Sequence, residues 1–265
     1  MTSAGDRVLV SMATYNERDN LAPLIQEIQR VLPAAHVLVI DDNSPDGTGK
    51  LADELAAADP RIHVLHRTGK LGLGTAILAG MRYAQDHDYD LFVNVDADFS
   101  HHPRYLPALL AGMQRHDIMI GSRYVPGGGT VNWPASRKLM SWGVNTLVRL
   151  LLRIRARDTS GGYRCYRVDL LRRTNLDRLL SYGYSFQEEA LYRMCRAGGT
   201  VGETPIIFED RRAGASKVNY GEVLRSLSIL CWLGMQSIFG LDRESGMKRE
   251  TAKRASSTSA TDMRE

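Results

Sequence analysis

Residues 91–98 read LFVNVDAD, a largely apolar run that ends in two aspartates separated by one residue. A run without regular polar alternation is typical of a strand buried on both faces of a parallel sheet. Alternate residues of an extended segment point to the same side, so Asp96 and Asp98 can face one ligand. The stretch therefore predicts a buried strand with a polar site at its carboxyl end.

Four further apolar runs repeat this pattern, at Arg7–Ala13, Val37–Ile40, Ile62–Leu65 and Ile118–Ile120. Segments with a helical period near 3.6 lie between the runs, at Leu21–Leu32, Thr48–Ala58, Thr75–Gln85 and Arg104–Arg115. Strands that alternate with helices predict an α/β fold with a mostly parallel central sheet and helices on both faces.

The second half of the chain has a different pattern. A glycine-rich loop at Val125–Asn132 precedes a long basic helix, and shorter elements follow. We predict helices at Ser136–Arg153, Val168–Leu180, Gln187–Ala197 and Tyr220–Phe239, and a strand at Val201–Phe208. Residues 242–265 contain almost nothing apolar to bury, so we predict that this tail is disordered.

Composition and charge exclude several classes of protein. The 265 residues are 43% hydrophobic and 24% charged, which excludes collagen-like, low-complexity and wholly disordered chains. The net charge of +4 is too small to predict nucleic-acid binding. The excess of 28 Arg over 6 Lys favours phosphate-bearing partners, because arginine contacts phosphate in a bidentate manner. High-GC codon usage explains the same excess equally well.

Signals for targeting and disulfide formation are weak. The three cysteines form no CxxC pair, which argues against a disulfide framework or a zinc site and favours a reducing compartment. We expect no signal peptide, since the first residues lack a basic segment followed by a long apolar one. The longest uncharged apolar stretch, 226–241, has 16 residues, whereas a membrane-spanning helix needs ~20.

Polar clusters follow three of the predicted strands, at Thr14–Glu17, Asp41–Gly47 and Asp96–Asp98. Each cluster alone is also compatible with ordinary turns and helix caps. In open parallel sheets, however, ligands bind at the carboxyl ends of the strands. Asp96 and Asp98 would repel each other unless a divalent cation lay between them. The pair therefore predicts Mg²⁺ or Mn²⁺ bridging a diphosphate.

The glycines of Gly69–Gly74 are a weak dinucleotide-binding signal. Ile77 stands where the third glycine of that pattern should be, and the loop follows the third strand rather than the first. A nicotinamide-binding enzyme is therefore disfavoured. The loop still leads into a helix and can bring Lys70 close to phosphates.

Eight segments together resemble a known family, the family-2 glycosyltransferases of GT-A fold, and within it the dolichol-phosphate (polyprenol-phosphate) mannose synthases. The resemblance covers residues 8–217 and rests on ATYNERDNL (13–21), IDDNSPDGTG (40–49), GLGTA (72–76), DADFSHHP (96–103), GSRYVPGGG (121–129), SGGYRCYR (160–167), YSFQEE (184–189) and RRAGASK (211–217). It departs from the family pattern at Ala13, where the family often has proline, and in the SGGYR turn.

The resemblance implies a set of site residues. The sugar nucleotide would be bound by Ala13, Tyr15, Glu17, Ile40, Asp42, Asp96, Ala97, Asp98, Arg123, Arg211 and Lys217. The metal would be held by Asp96 and Asp98, with Ser100 as a possible further ligand. The acceptor phosphate would be met by Arg123, Arg137, Arg164 and Ser216. The resemblance assigns catalytic roles to Asp98, Arg123, Arg137, Arg211 and Lys217.

The resemblance also implies a reaction, the inverting transfer of mannose from GDP-mannose to a polyprenyl (dolichyl-type) monophosphate. A phosphate oxygen is already ionised at neutral pH, so no general base is needed. One alternative is a polyprenyl-phosphate glucosyltransferase that uses UDP-glucose or a related donor. A phosphoacceptor signalling domain is a second alternative, disfavoured because the acidic residues close the second and fourth strands instead of the first and third.

Several other side chains receive structural interpretations. Glu189 matches the family glutamate, whereas we expect Glu188 to be an ordinary surface residue. We interpret His101-His102 as a structural turn, and the three tryptophans as packing residues. These three are Trp133, Trp142 and Trp232.

The predicted organisation is a single GT-A domain over residues 1–241. Residues 7–124 would form the nucleotide-sugar and metal half, and residues 125–217 the acceptor half. The apolar helix in 218–241 would lie in a membrane interface or dock on a membrane partner subunit, unless it packs on its own domain. We therefore expect peripheral association with the cytoplasmic face of the membrane.

Overall fold

The computed structural model describes residues 5–183, 185–209 and 228–236. The strands of this part are β1 (Val8–Thr14), β2 (His36–Asp41), β3 (Ile62–His66), β4 (Leu91–Asp96), β5 (Ile118–Ser122), β6 (Gly129–Val131), β7 (Arg164–Arg167), β8 (Val201–Pro205) and β9 (Ile207–Glu209). The helices are α1 (Arg18–Val31), α2 (Thr48–Ala58), α3 (Leu73–Asp86), α4 (Leu106–Gly112), α5 (Ala135–Leu152), α6 (Val168–Arg173) and α7 (Phe186–Arg196). Residues 228–236 are also helical.

Seven strands form the central sheet in the order β3-β2-β1-β4-β7-β5-β8. Strand β7 is antiparallel to both of its neighbours, and the other adjacent pairs are parallel. The predicted mostly parallel sheet is therefore confirmed. The strand order changes direction between β1 and β4, and such a switch opens a crevice at the carboxyl ends of the two strands.

Helices cover both faces of the sheet, as the sequence predicts. Helices α1, α2 and α4 contribute buried side chains to one core, while α3, α6 and α7 contribute to the other. Helix α1 shows why the sequence folds this way, because its buried residues recur at helical spacing. They are Leu21, Leu24, Ile25 and Ile28. Such a stripe drives the helix onto the sheet, at roughly 1.5–3 kcal/mol for each large side chain that is buried.

The second half departs from prediction at four places. Within the glycine-rich loop predicted at Val125–Asn132, Gly129–Val131 form β6, which pairs with β9. Strand β7 was not foreseen, because a segment that begins with a charged residue, Arg164, does not look like a buried strand. The helix predicted over Val168–Leu180 ends at Arg173, where Thr174 becomes extended and its hydroxyl donates to the carbonyl of Leu170 at 2.8 Å. The strand predicted over Val201–Phe208 is interrupted at Ile206, between β8 and β9.

Several predicted features lie outside the described residues. These are Arg211, Ser216, Lys217, most of the helix predicted at Tyr220–Phe239, and the tail from residue 242. Within 228–236, Leu230 and Leu233 are buried against the core. No helix in the described part of the chain is both long and apolar enough to cross a membrane.

Candidate active site

The sheet register brings the three predicted polar clusters together. Ala13 at the end of β1 pairs with Ile40 of β2 on one side and with Asp96 of β4 on the other. Thr14 lies opposite Asp41 in the same ladder. Residues that are far apart in the sequence therefore form one continuous edge, as expected for the carboxyl ends of parallel strands.

Two adjacent carboxylates at the end of β2 have different partners. Asp41 accepts hydrogen bonds from the Thr14 hydroxyl at 3.1 Å, and from the hydroxyl and backbone N–H of Ser44 at 2.5 and 3.0 Å. Residue 49 is a glycine because a Cβ there would lie 2.8 Å from Asp41 Oδ2. Asp41 therefore shapes the turn into α2.

Asp42 is held by an arginine that the sequence did not single out. The Nε and Nη2 atoms of Arg67 donate to the two carboxylate oxygens of Asp42 at 2.5 and 2.8 Å. Arg67 also donates to the Thr75 hydroxyl at 2.7 Å. Both side chains of this ion pair are over 90% buried, so the predicted nucleotide-binding carboxylate has a fixed position. Arg67, the partner of this carboxylate, is the first residue after β3. Its position at a strand end is the only sequence signal that could have indicated its role.

Tyr15 and Glu17 form the rim of this edge. The Lys70 ammonium lies 4.6 Å from the centre of the Tyr15 ring, and this ring is 39% exposed. The Glu17 carboxylate accepts from the side-chain amide of Asn20 at 2.7 Å, and its backbone N–H donates to Thr48 Oγ1 at 3.0 Å. The glycine loop thus brings Lys70 beside the first polar cluster, as the sequence suggested.

The loop after β4 carries the two candidate metal ligands. Its geometry is set by Ser100, whose N–H donates to Asp98 Oδ1 at 3.0 Å and whose hydroxyl donates to Asp96 Oδ2 at 3.4 Å. Buried His101 accepts from the Asp96 backbone N–H at 3.1 Å through Nδ1. That nitrogen is engaged by the loop, so the close approach of His101 to the Asp96 carboxylate is not an ion pair. Ala97 is buried between the two aspartates.

The donor atoms of this loop fit a hard divalent cation. Carboxylate and hydroxyl oxygens are the ligands that Mg²⁺ and Mn²⁺ prefer. Within the described residues, no group of three or more His, Cys, Asp and Glu side chains is placed to hold a metal. An ion at Asp96 and Asp98 would therefore take most of its shell from a substrate diphosphate and from water.

Arg123, at the end of β5, is paired with a carboxylate that the sequence missed. Its Nε and Nη2 donate to the two oxygens of Asp158 at 2.8 and 2.7 Å, and Nη2 also donates to the Ser160 hydroxyl at 2.9 Å. Burial alone would raise the pKa of Asp158, but the hydrogen bonds and charge of Arg123 outweigh it and lower that pKa. Asp158 is fully buried, so the guanidinium has a fixed direction.

The other side of Arg123 lines a pocket of about 310 Å³. The lining residues are Arg123, Tyr124, Gly129, Thr130, Trp133 and Lys138. They include two cations and no acidic residue. Both predicted acceptor arginines approach the Trp133 ring, with the guanidinium carbon of Arg123 5.4 Å and that of Arg137 4.0 Å from its centre. Sequence reasoning missed Lys138 and assigned Trp133 to packing.

The predicted contact between Arg164 and the acceptor phosphate is corrected by the structure. Arg164 is fully buried, and its three guanidinium nitrogens donate to backbone carbonyls at 2.5–2.7 Å. The acceptors are Gly161, Gln187 and Thr159. Because each nitrogen already has a partner, Arg164 fixes the loop that carries Asp158 and docks it on α7.

The two glutamates at the start of α7 also differ from expectation. Glu189 is buried and accepts from the backbone N–H groups of Leu180 and Ser181 and from Arg193, so it ties a loop to the helix. Glu188, expected at the surface, is buried as well, and its Oε2 has no hydrogen-bond partner in the described part of the chain. Burial raises the pKa of Glu188 to about 7.

Comparison with known proteins agrees with this architecture. The chain matches the family model "Glycosyl transferase family 2" over residues 9–174, and it belongs to that family of enzymes. It is 47% identical to an undecaprenyl-phosphate mannosyltransferase from Micrococcus luteus, over 82% of this chain and 89% of the relative. It is 43% identical to a polyprenol monophosphomannose synthase from Mycolicibacterium smegmatis, over 92% of both chains. These relatives confirm the branch of the family that the motifs resemble.

Solved structures with lower identity share the fold. Glucosyl-3-phosphoglycerate synthase from Mycobacterium tuberculosis, crystallised with UDP, matches with a TM-score of 0.58 at 17% identity, over 86% of this chain and 81% of that one. The same enzyme with Mn²⁺, UDP and glucosyl-3-phosphoglycerate matches with a TM-score of 0.56 at 18% identity, over 89% and 78%. At this identity the likeness concerns the GT-A fold alone.

Proposed function

We propose that this glycosyltransferase moves mannose from GDP-mannose to a polyprenyl monophosphate and produces a β-mannosyl phosphate lipid. Two relatives more than 40% identical are named as an undecaprenyl-phosphate mannosyltransferase and a polyprenol monophosphomannose synthase. The observation that carries the proposal is the cationic pocket beside Arg123, which has the charge and the donors that a phosphate monoester needs. Phe208 links the pocket to the acidic loop of Asp96 and Asp98, because its ring lies 5.6 Å from that of Trp133 and 5.5 Å from that of His101, which supports the loop.

The chemistry follows from the charges of the two substrates. A phosphate monoester is ionised at neutral pH, so its oxygen can attack the anomeric carbon of the sugar without a general base. The bond from that carbon to the nucleoside diphosphate breaks as the new bond forms, and a single direct displacement inverts the anomeric centre. Mg²⁺ or Mn²⁺ at Asp96 and Asp98 would neutralise charge on the leaving diphosphate.

The chain's own residues bring two anions together. Arg123 presents its guanidinium from a buried frame made by Asp158 and Ser160, so little reorganisation is needed when the acceptor binds. Arg67 keeps Asp42 in one position at the nucleotide end. Groups held in this way need little rearrangement to orient the two substrates for the displacement.

The reaction is tested with purified protein, Mg²⁺ or Mn²⁺, a short polyprenyl phosphate and radiolabelled GDP-mannose, with UDP-glucose in a parallel sample. We expect label in the organic phase from GDP-mannose and its loss in Asp98→Ala. Asp86→Asn, at the distant end of α3, is the matched control and keeps activity. Transfer from UDP-glucose alone would overturn the proposed donor but keep the class of reaction. No transfer from either donor, even with host membranes added to supply a partner subunit, would contradict the proposal.

We also propose that the enzyme works at the cytoplasmic membrane surface and that α5 contacts it. Large apolar side chains of α5 are exposed, namely Leu139, Met140, Trp142, Leu147 and Leu150. Residues 118–157 contain seven Arg or Lys and no Asp or Glu. An apolar stripe flanked by basic residues is typical of helices that lie in the interface of anionic membranes.

The helical segment 228–236 extends the same surface. A Cβ at Gly234 would lie 3.5 Å from Leu151 of α5, so the two helices are neighbours. Trp232 and Met235 are exposed on this segment. We therefore also propose that this segment, part of the predicted C-terminal helix, contacts the membrane together with α5.

Co-sedimentation with anionic and neutral vesicles tests this location. We expect the protein to sediment with the anionic vesicles, and a triple variant, Leu139→Ser with Trp142→Ser and Leu150→Ser, to stay in the supernatant. Leu180→Ser, which changes an exposed leucine elsewhere, is the control. A wild-type protein that remains in the supernatant with anionic vesicles contradicts the proposal.

A further inference from the structure

The indole nitrogen of Trp133 is a buried donor without an acceptor. Trp133 is 8% exposed, and its Nε1 makes no hydrogen bond within the described residues. An indole N–H can only donate, and a buried donor left unsatisfied costs about 1–3 kcal/mol. The residue lines the cationic pocket while Nε1 itself is covered, so a ligand that enters the pocket would remove this cost if a small shift of the ring lets its acceptor meet the N–H.

The Trp133 ring is held from several sides. The Arg137 guanidinium lies 4.0 Å from the ring centre and that of Arg123 5.4 Å from it. Phe208 approaches at 5.6 Å in an edge-to-face arrangement. Such contacts limit the ring to small shifts and keep the N–H bond close to its present direction.

We propose that the Trp133 indole N–H donates a hydrogen bond to a phosphate oxygen of the acceptor, between Arg123 and Lys138. The identity of the acceptor as a lipid phosphate rests on the proposed function, whereas the phosphate chemistry rests on the pocket itself. Every polar side chain that lines the pocket can donate, and a monophosphate offers three acceptor oxygens. The tryptophan that the sequence assigns to packing thus becomes a binding residue.

The pocket suits the acceptor phosphate better than the donor diphosphate. His101, which supports the loop of Asp96 and Asp98, packs edge-to-face on Phe208 at 5.5 Å. Phe208 in turn packs on Trp133, so one aromatic ring separates the acidic loop from the indole. A diphosphate held at Asp96 and Asp98 would therefore lie nearer to His101 than to Trp133.

Indole NMR signals test the hydrogen bond directly. The full chain has three tryptophans, so ¹⁵N-labelled protein gives three indole signals, assigned from Trp133→Phe, Trp142→Phe and Trp232→Phe. Farnesyl phosphate, inorganic phosphate, and GDP with Mg²⁺ are added in separate titrations. We expect farnesyl phosphate to move the Trp133 proton downfield, and inorganic phosphate to do so at higher concentration if the headgroup alone suffices.

Two outcomes of this titration would overturn the inference. One is a Trp133 signal that neither monophosphate moves. The other is a signal that moves with GDP and Mg²⁺ but not with farnesyl phosphate, which would place the donor diphosphate in the pocket. Neither outcome depends on mannosyl transfer, so the inference can fail while the proposed function stands, and the reverse also holds.

A kinetic variant separates binding from packing. Trp133→Phe keeps an aromatic ring beneath Arg137 but removes the N–H group. Loss of one charge-assisted hydrogen bond raises the KM for farnesyl phosphate about tenfold, with kcat and the KM for GDP-mannose within about twofold of wild type. Tyr83→Phe, near the distant end of α3, is the control because it also keeps a ring and removes a donor. An unchanged acceptor KM, with or without a lower Tm, would assign Trp133 to packing and reject the proposal.

Discussion

The nucleotide half and the acceptor half of the site differ in how their polar groups are satisfied. In the nucleotide half, Asp41 and Asp42 already have partners within the protein, in the turn after β2 and in Arg67. In the acceptor half, Trp133 and Glu188 each have a buried polar atom that finds no partner among the residues the structure describes. Carboxylates whose hydrogen bonds are made within the protein keep the nucleotide half in one shape. Buried polar atoms without partners favour ligand binding in the acceptor half, because a ligand can supply the missing hydrogen bonds.

The largest effect on stability is expected at the Arg123–Asp158 pair, whose hydrogen bonds are already made within the acceptor half. Arg123→Ala leaves the Asp158 carboxylate buried without its cation, which lowers the free energy of unfolding by about 3–5 kcal/mol. The variant also loses a residue proposed to bind the acceptor phosphate. Urea unfolding of Arg123→Ala, Asp158→Ala and the double variant measures the coupling. Additive losses in the double variant would show that the pair does not act as a unit.

A smaller effect, of the order of 3 kcal/mol, is expected at Glu188. Its folded pKa of about 7 lies above the usual 4.5, so its contribution to stability is present below pH 4.5 and is lost as the pH rises through 7. Glu188→Gln should therefore be more stable than wild type at pH 8 and equal to it at pH 4. Thermal unfolding at the two pH values measures this difference.

The neighbouring glutamate is the control for that prediction. Glu189→Gln weakens bonds from two backbone N–H groups and Arg193, so it should lower the stability at pH 8. The prediction is wrong if both variants change the stability at pH 8 in the same direction, because the hydrogen-bonded Glu189 and the unpartnered Glu188 should respond oppositely.

A modest effect is expected from Arg137. Arg137→Gln removes the cation that stacks on Trp133, an interaction of about 0.5–1 kcal/mol at an accessible site. Together with the lost charge, this should raise the KM for the lipid phosphate several-fold while leaving the KM for GDP-mannose unchanged. Initial rates at varied concentrations of each substrate give the two KM values. Equal changes in both KM values would contradict the division of the site into two halves.

The smallest effect is expected in the nucleotide half, at the opposite end of β2 from the site. His36 Nδ1 lies 2.9 Å from His63 Nε2, and Tyr89 contacts both. Burial, followed by nearby positive charge, lowers the pKa of both imidazoles. The unfolded chain therefore binds protons more readily, and stability should fall as the pH drops below about 6.5.

Thermal unfolding between pH 7.5 and 5 checks this expectation. The decline should be smaller in His63→Gln than in wild type, because that variant removes one of the two groups that must stay neutral. A steeper decline in the variant than in wild type would contradict the assignment.

The sequence predicts most of the nucleotide half. Apolar runs and turn residues specify β1, β2 and β4, and parallel register then brings their polar ends together without further information. The acceptor half was predicted less well. Arg164 and Glu188 are charged residues, which are usually exposed, and only the packing around β7 and α7 buries them.

What the sequence by itself determined is the α/β order of elements, the acidic edge and the family, because periodicity, turn chemistry and motif spacing are local properties of the chain. The tertiary structure decided which charges are paired and which side chains are buried. Arg67 reaches Asp42 across 25 residues, and Arg123 reaches Asp158 across 35. The environments of Trp133 and Trp142, one buried in a pocket and one exposed on α5, were decided in the same way. Partner choice and burial depend on long-range contacts, and no local pattern encodes them.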